Sequence, residues 1–554
     1  MSEIEYLKFE DWQKEVSRNR LNDVWLVVYS FKKESDREHN GEYATFCAIL
    51  PNKEDLIKKV LMNSSWEISY DYGCPEFWLD MREGKIHYER FGSSFNEIPF
   101  EPLVICRSFY GLREDSVELS EEFRLYHNLY HDRRKDEFIF IDESGEEDVA
   151  AKIEKTDDDF VVSIKIRYLR DFLAAKNTVL IRFHDHIRYS RRDLTKDLGT
   201  DIIRLKGAGE NFCYEIIINP KPELAIKNWM AFSRFLAKDV LPPFQEPCHS
   251  EYKLLKGEKT KAYEKFIVGV DDEGRPIERS CDPRNLSVKE YLTPVFFKRE
   301  VLKKYYDQPS KHTVGDNYLS CGTLWGMRYG QNPRLVHAWL GDLGEYLPHN
   351  EQLHWKQFNV PPEGELGPAT IKRELLAEPS EPDETTHKFK YEFEKFSEFW
   401  KDKFGWYLFL PLRKDDEHFM KSLHVPVSEE PLEFDQQILA LAKILPDSIN
   451  LSKIKELTGL NDEKIKDLFG DKSSINYLKA LLIFYFKIDK ETACRITKPL
   501  SKIQKLRSAG VAHRKGQKYD TVYRNFGLDR CSRIEFFKQL LEDVIKSLEF
   551  LQQL

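Results

Sequence analysis

The sequence predicts a multidomain α+β protein, with a mixed α/β and antiparallel β N-terminal region followed by a C-terminal all-α helical bundle. Three observations carry this reading. At 554 residues the chain exceeds what one hydrophobic core supports, which argues for three or four units. Short β-type runs with apolar alternation recur up to about residue 183. After Pro426 and Pro431 the texture changes to helical periodicity for the rest of the chain.

The elements follow in order. Val24 to Tyr29, Thr45 to Leu50, Trp66 to Tyr70 and Pro102 to Cys106 read as strands, with an amphipathic helix at Lys53 to Met62, so residues 1–115 form an α+β domain. A helical stretch from Glu121 to His131 leads into strands at Glu137 to Ile141, Phe160 to Ile164 and Thr178 to Phe183. Alternation and acidic turns make this sheet mainly antiparallel. A helix around Leu224 to Val240 is expected to stop at Pro242-Pro243, closing a β-rich α+β domain over 116–243. Residues 244–370 read as an irregular aromatic-rich domain and 371–430 as linker and connector, because Glu374 to His387 holds two prolines and little to bury. Residues 431–554 carry helices at Phe434 to Leu445, Leu451 to Leu457, Glu463 to Phe469, Ile475 to Phe486, Thr492 to Ala509 and Ser532 to Leu551. In the last, Ile534, Phe537, Leu541, Leu548 and Leu551 form one apolar stripe, as a bundle requires.

Composition narrows the function classes. The chain is 41% apolar and 32% charged, with 37 Phe and 26 Tyr, which excludes a disordered protein. A net charge of −9 excludes a global positive field, so any nucleic-acid site must be local. Nine scattered cysteines without a CxxC pair fit a reducing compartment and give no structural zinc site. Met1-Ser-Glu-Ile-Glu has no apolar signal core and no apolar run is long enough for a bilayer, so a cytoplasmic, unanchored protein is expected.

The chemistry-bearing run is Leu506-Arg507-Ser508-Ala509-Gly510-Val511-Ala512-His513-Arg514-Lys515-Gly516. Histidine moves protons near neutral pH. Arginine offers a permanent planar charge whose forked donors match two phosphate oxygens. From Glu491 to Arg530 ten basic side chains face three acidic ones, a local excess of +7. Lys502, Lys505, Arg514, Lys515 and Lys518 can grip phosphates without reading sequence, and Tyr519 and Tyr523 are placed to stack bases. On a continuous helix, residues six apart lie about 9 Å apart along the axis and about 120° off a common face. Either Gly510 turns the chain before His513, or the site combines two chains.

This run resembles the HEPN superfamily, whose mark is an Arg separated by four to six residues from a His inside a small all-helical domain; five residues separate Arg507 from His513. The resemblance covers roughly the last 120 residues. It implies a metal-independent endoribonuclease that needs no cofactor and cleaves tRNA or mRNA through the 2′-hydroxyl, with Arg507 and His513 catalytic. It also implies a homodimer through the C-terminal bundle, and an anti-phage, abortive-infection effector in which residues 1–430 sense a phage-derived trigger. Ser508 departs from the Asn, Asp or His common after the family's Arg, though a serine still hydrogen-bonds. The alternative is a non-catalytic HEPN dimerisation module on a nucleic-acid- or protein-binding protein.

Weaker patterns read mostly as structure. His349-x-Glu351-x-x-His354 has ligand-like spacing but no second cluster. His184-Asp-His186 puts two imidazoles on one side of a strand, as a strand end meeting solvent does, and Arg188 to Arg192 reads as a solvated basic turn. Glu251-Tyr-Lys253, with Asp239 as a conceivable partner, imitates a metal-dependent nuclease pattern common by chance. Lys206-Gly-Ala-Gly209 lacks the residues of a nucleotide loop, so no ATP or GTP hydrolysis is expected.

Overall fold

A computed structural model describes residues 3–20, 24–62, 76–89, 94–95, 98–155, 160–221, 229–248, 261–331, 334–362, 385–510 and 517–554. Two compact units emerge, Met1–Asp142 with Glu146–Thr260, and Glu143–Gly145 with Lys261–Leu554.

The first unit is built on one antiparallel sheet. Its strands are β1 (Trp25–Ser35), β2 (His39–Pro51), β3 (Tyr130–Asp132), β4 (Glu137–Ile141), β5 (Glu147–Lys155), β6 (Phe160–Lys165), β7 (Thr178–Ser190), β8 (Ile203–Ala208), β9 (Phe212–Asn219) and β10 (Ala231–Leu241), in spatial order β8-β9-β10-β7-β2-β1-β6-β5-β4-β3. The expected divide at 115/116 therefore does not separate two sheets: β2, from before it, pairs with β7, from after it, over the full length of both strands. Sequence reading missed this because the partners are more than a hundred residues apart and local pattern carries no pairing information.

The helix expected from Leu224 to Val240 is instead strand β10 over its described part, hydrogen-bonded on both sides to β7 and β9. Its run Phe-Leu-Ala-Lys-Asp-Val-Leu is buried on both faces, and a doubly buried strand loses the alternation that would identify it. Helices α1 (Glu3–Leu7), α2 (Glu10–Ser17), α3 (Glu54–Met62) and α4 (Ile166–Lys176) supply apolar cover. Odd-numbered Val179, Ile181 and Phe183 of β7 pack with Val60 of α3 and with Phe100. Even-numbered Leu180 joins the core of Leu169, Phe172 and Leu173 from α4.

In the second unit, antiparallel strands Pro294–Lys298 and Leu335–Trp339 precede helices α5 (Leu340–Tyr346) and α6 (His349–Gln357) around Phe297, Tyr305, Trp325 and Trp355. The C-terminal bundle comprises α7 (Thr385–Phe404), α8 (Pro431–Ile444), α9 (Leu451–Thr458), α10 (Asp462–Phe469), α11 (Ser474–Ala480), α12 (Lys490–Gly510), α13 (Gln517–Asn525) and α14 (Arg533–Leu551). It starts earlier than residue 431, within the segment read as linker and connector. Phe389, Phe396 and Trp400 of α7 are buried with Leu541, Val544 and Leu548 of α14 in one core, because the spacing of Phe389, Phe393, Phe396 and Trp400 is itself a helical stripe. No helix among the described residues is long and apolar enough to cross a membrane.

The entry to α8 depends on Glu433, 1% exposed. Its carboxylate accepts from the Val427 amide at 2.8 Å, the Ser428 amide and hydroxyl at 3.1 and 2.5 Å, and the His424 ring at 3.1 Å. Burial raises this carboxyl, but those donors together outweigh it and bring it down to about 2. A depressed carboxyl stabilises the fold above its unfolded value, and the contribution is lost as pH falls through the folded one. Glu433→Gln is expected to cost on the order of 2 kcal/mol at pH 7, with the difference from wild type shrinking steadily between about pH 4.5 and about pH 2. Urea unfolding of both proteins across that series measures it, and a pH-independent difference would contradict the assignment.

Candidate functional site

The sequence places its candidate chemistry at the end of α12. Ile496, Leu500, Ile503 and Leu506 turn inward there, into the bundle core, which leaves Lys505 and Ser508 exposed and Arg507 about a third exposed. The last turn of a helix exposes carbonyls that favour a cation, and Arg507 sits in it. Its Nη1 donates to Asp447 Oδ1 at 2.6 Å, an acceptor held in the turn Pro446–Ser448 after α8. Lys502 is paired with Asp543 of α14 at 3.1 Å.

Gly510 packs closely against α8. It is the last residue of α12 and buried, and a Cβ there would lie 2.7 Å from Asp435 Oδ1. Its bare backbone lets the helix end approach a buried carboxylate of α8, which also accepts a hydrogen bond from the Tyr523 hydroxyl. Burial, then that carboxylate, push the Tyr523 hydroxyl far above its ordinary value. Tyr523 is 6% exposed and therefore not a base-stacking surface. Tyr519 is half-buried and lies against the Tyr523 ring, centroids 3.9 Å apart and planes 27° apart. His513, Arg514 and Lys515 lie outside the described residues, as does the Lys518 side chain.

A second polar constellation lies in the first unit, on the even-numbered face of β7. Arg182, His184, His186 and Arg188 are each 3% exposed or less. Asp239 of β10 accepts from Arg182 Nε and Nη2 at 3.0 and 2.6 Å, from Arg20 Nε at 3.1 Å and from His184 Nε2 at 3.1 Å. His184 Nδ1 meets Thr45 Oγ1 at 3.1 Å. Burial opposes ionisation of Asp239, yet Arg182 and His184 outweigh it and hold the carboxyl well below the usual range. Burial lowers the His184 imidazole despite Asp239, and lowers His186 strongly. Both rings are therefore neutral near pH 7.

This corrects two expectations. His184 and His186 lie inside a long strand rather than at a wet end, and Arg188 is buried rather than part of a solvated turn. The available signal was the same alternation carried further, since Arg182, His184, His186 and Arg188 keep one face.

The remaining patterns separate. His349 Nε2 meets Glu264 at 3.0 Å, His354 Nε2 the Val301 carbonyl at 2.9 Å, and Glu351 accepts from Lys304 and Tyr305 at 2.6 Å each. These three side chains serve three different partners and do not converge. Glu251 and Lys253 lie outside the described residues. Among the described residues, the grouping with ligand atoms close enough for an ion is Asp80, Glu83 and His87 of a hairpin. No protein-family model matches the chain, and no curated protein matches it.

Asp447 occupies donors that a phosphate would otherwise take. Asp447→Asn is expected to raise affinity for a generic single-stranded RNA about two- to fivefold at low salt and to steepen the salt dependence by about one counterion. Fluorescence anisotropy across a salt series tests this; unchanged affinity and slope would mean Arg507 does not face the RNA backbone.

Proposed function

We propose that the C-terminal bundle is a HEPN-type endoribonuclease domain that cleaves RNA without a metal, with Arg507 and His513 as its catalytic pair. The observation that carries this reading is the position of Arg507: a guanidinium about a third exposed on the last turn of a bundle helix, beside exposed Lys505 and Ser508. It lies within a segment of local charge +7. The motif spacing adds to this, as does the helical character of its surroundings.

In the proposed reaction His513 accepts the proton of the 2′-hydroxyl as that oxygen attacks the adjacent phosphorus. Arg507 stabilises the negative charge that builds on the phosphorane oxygens. The bond to the 5′-oxygen then breaks, that oxygen takes a proton, and the products are a 2′,3′-cyclic phosphate and a 5′-hydroxyl. Ser508 can hydrogen-bond to the same phosphate. Lys502, Lys505, Arg514, Lys515 and Lys518 would hold the flanking backbone, with Tyr519 against a base.

By its resemblance to the HEPN superfamily, the working unit is proposed to be a homodimer through the bundle, acting on tRNA or mRNA in the cytoplasm as an anti-phage effector. Residues 1–430 would then be its sensing region, responding to a phage-derived trigger. A second reading, a non-catalytic dimerisation module, draws on the Arg507–Asp447 pair, since a neutralised guanidinium is a resting structural contact.

Incubating the full chain with total RNA in EDTA separates the two. Cleavage leaving cyclic phosphate ends is expected, with a fall of at least a hundredfold in both Arg507→Ala and His513→Ala. Activity abolished by EDTA, or unaffected by either substitution, would sink the catalytic proposal; no cleavage by any variant favours the dimerisation module.

A further inference from the structure

The first unit holds a cavity of about 640 Å³ whose lining combines Trp12 and Glu15 of α2, Phe31 and Lys32 of β1, and Arg182 and Arg188 of β7. We propose that this cavity binds a nucleoside monophosphate, its base against Trp12 and its phosphate at Arg188, with Lys32 at the rim. The inference does not rest on the ribonuclease reading, and the two fail separately.

Size comes first. A volume of this order suits a small molecule rather than a polymer or a lipid tail. The walls are mixed in the way a nucleotide is mixed. Trp12 and Tyr43 lie nearly parallel, 19° apart with centroids at 6.2 Å. Ser30, Thr45 and Tyr43 bring hydroxyls to the same lining. An aromatic base needs such apolar faces, and a ribose needs hydroxyl partners.

Charge decides the rest. The floor is cationic and deep, with Arg182 and Arg188 each 3% exposed. Buried Asp239 balances Arg182, and the acids that balance the rest nearer the opening are wetter: Glu15 is 38% exposed, Asp11 44% and Glu34 52%. Deep charges act through a lower dielectric than exposed ones, which water and salt screen. An anion entering the cavity therefore meets a net attraction although the residue count is nearly balanced.

The two arginines differ in what they can release. Arg182 is fixed by buried Asp239 and by the Val27 carbonyl at 2.9 Å. Arg188 points its forked Nη1 and Nη2 at Asp11, at 3.0 and 2.6 Å. Its guanidinium is clamped over the rings of Tyr6 and Phe9, at 4.5 and 4.3 Å, and its Nε donates to Tyr43 at 3.1 Å. A rigid fork occupied by a solvent-facing carboxylate is an arrangement in which a phosphate can displace the carboxylate without moving the arginine. Lys32 is exposed and paired with the next acid along its strand, Glu34. It can swing to a phosphate at the opening.

The test is isothermal titration of the full chain with AMP, GMP, CMP and UMP, with inorganic phosphate and the matching nucleosides as separate arms. At least one monophosphate is expected to bind with a dissociation constant on the order of 10 μM, and phosphate or nucleoside alone at least tenfold more weakly. Lys32→Glu, at an exposed position that leaves the core intact, should weaken that binding tenfold or more. Asp11→Asn should tighten it severalfold, an effect that a purely structural Asp11 would not produce. The proposal is overturned if no monophosphate binds at about 1 mM, if the lysine variant binds like wild type, or if Asp11→Asn binds no tighter.

Discussion

The first unit depends on making one buried carboxylate affordable. Asp239 sits on a central strand, where an uncompensated charge costs several kcal/mol. It is satisfied only because residues from two separate parts of the chain converge on it: Arg20 after α2, and Arg182 and His184 on β7. Arg20 is 219 positions away from it in sequence. The N-terminal helices are therefore held to the sheet by an ion pair as well as by Phe9 and Val16 in the core. Register follows from the same constraint. Arg182 is opposite Asp239 and Cys47, and His184 is opposite Thr45; a one-residue slip of β7 would turn its arginines and histidines into the apolar core on the other face and leave the carboxylate alone.

The bundle solves a smaller version of the same problem. Asp435 and Glu433 are both buried in the first turns of α8. Glu433 is surrounded by donors from the chain just ahead of the helix. Asp435 takes the Tyr523 hydroxyl and the close approach of Gly510. The end of α12 is thereby pinned against α8 two positions after Ser508. A functional Arg507 on that helix would inherit its rigidity from these carboxylates, which never touch a substrate.

Much of the architecture was legible because it is periodic. Helices α8, α9, α10, α12 and α14 fall close to the expected runs, and so do strands β1, β2, β4 and β6, since each keeps one apolar face and shows it in sequence. What was not legible depended on partners. β10 carries no alternation because both of its faces are covered. α7 was concealed by the proline- and acid-rich stretch before it. The pairing of β2 with β7 is a non-local fact that no window can hold. The polar face of β7 was half seen: the two histidines stood out, while Arg188 was assigned to the surface and Arg182 was passed over, because their acidic partners lie 177 and 57 positions away.

The two acid–arginine contacts near the surface, Asp447 with Arg507 and Asp11 with Arg188, share a physical character that the buried Asp239 cluster lacks. In each pair the contact is 2.6 Å, but at least one partner is more than a quarter exposed. Exposed ion pairs of this kind are worth about 1 kcal/mol or less, whereas breaking a buried one costs about 3–5 kcal/mol. A phosphate bears more charge than a carboxylate and matches the same fork, so exchange at Arg507 or Arg188 lies within the reach of ordinary binding energy. Exchange at Arg182 does not, because it would leave Asp239 buried without its principal partner. Two of the guanidinium groups thus hold exchangeable acidic partners while a third holds the fold, and the acid in both exchangeable pairs is more exposed than Asp239.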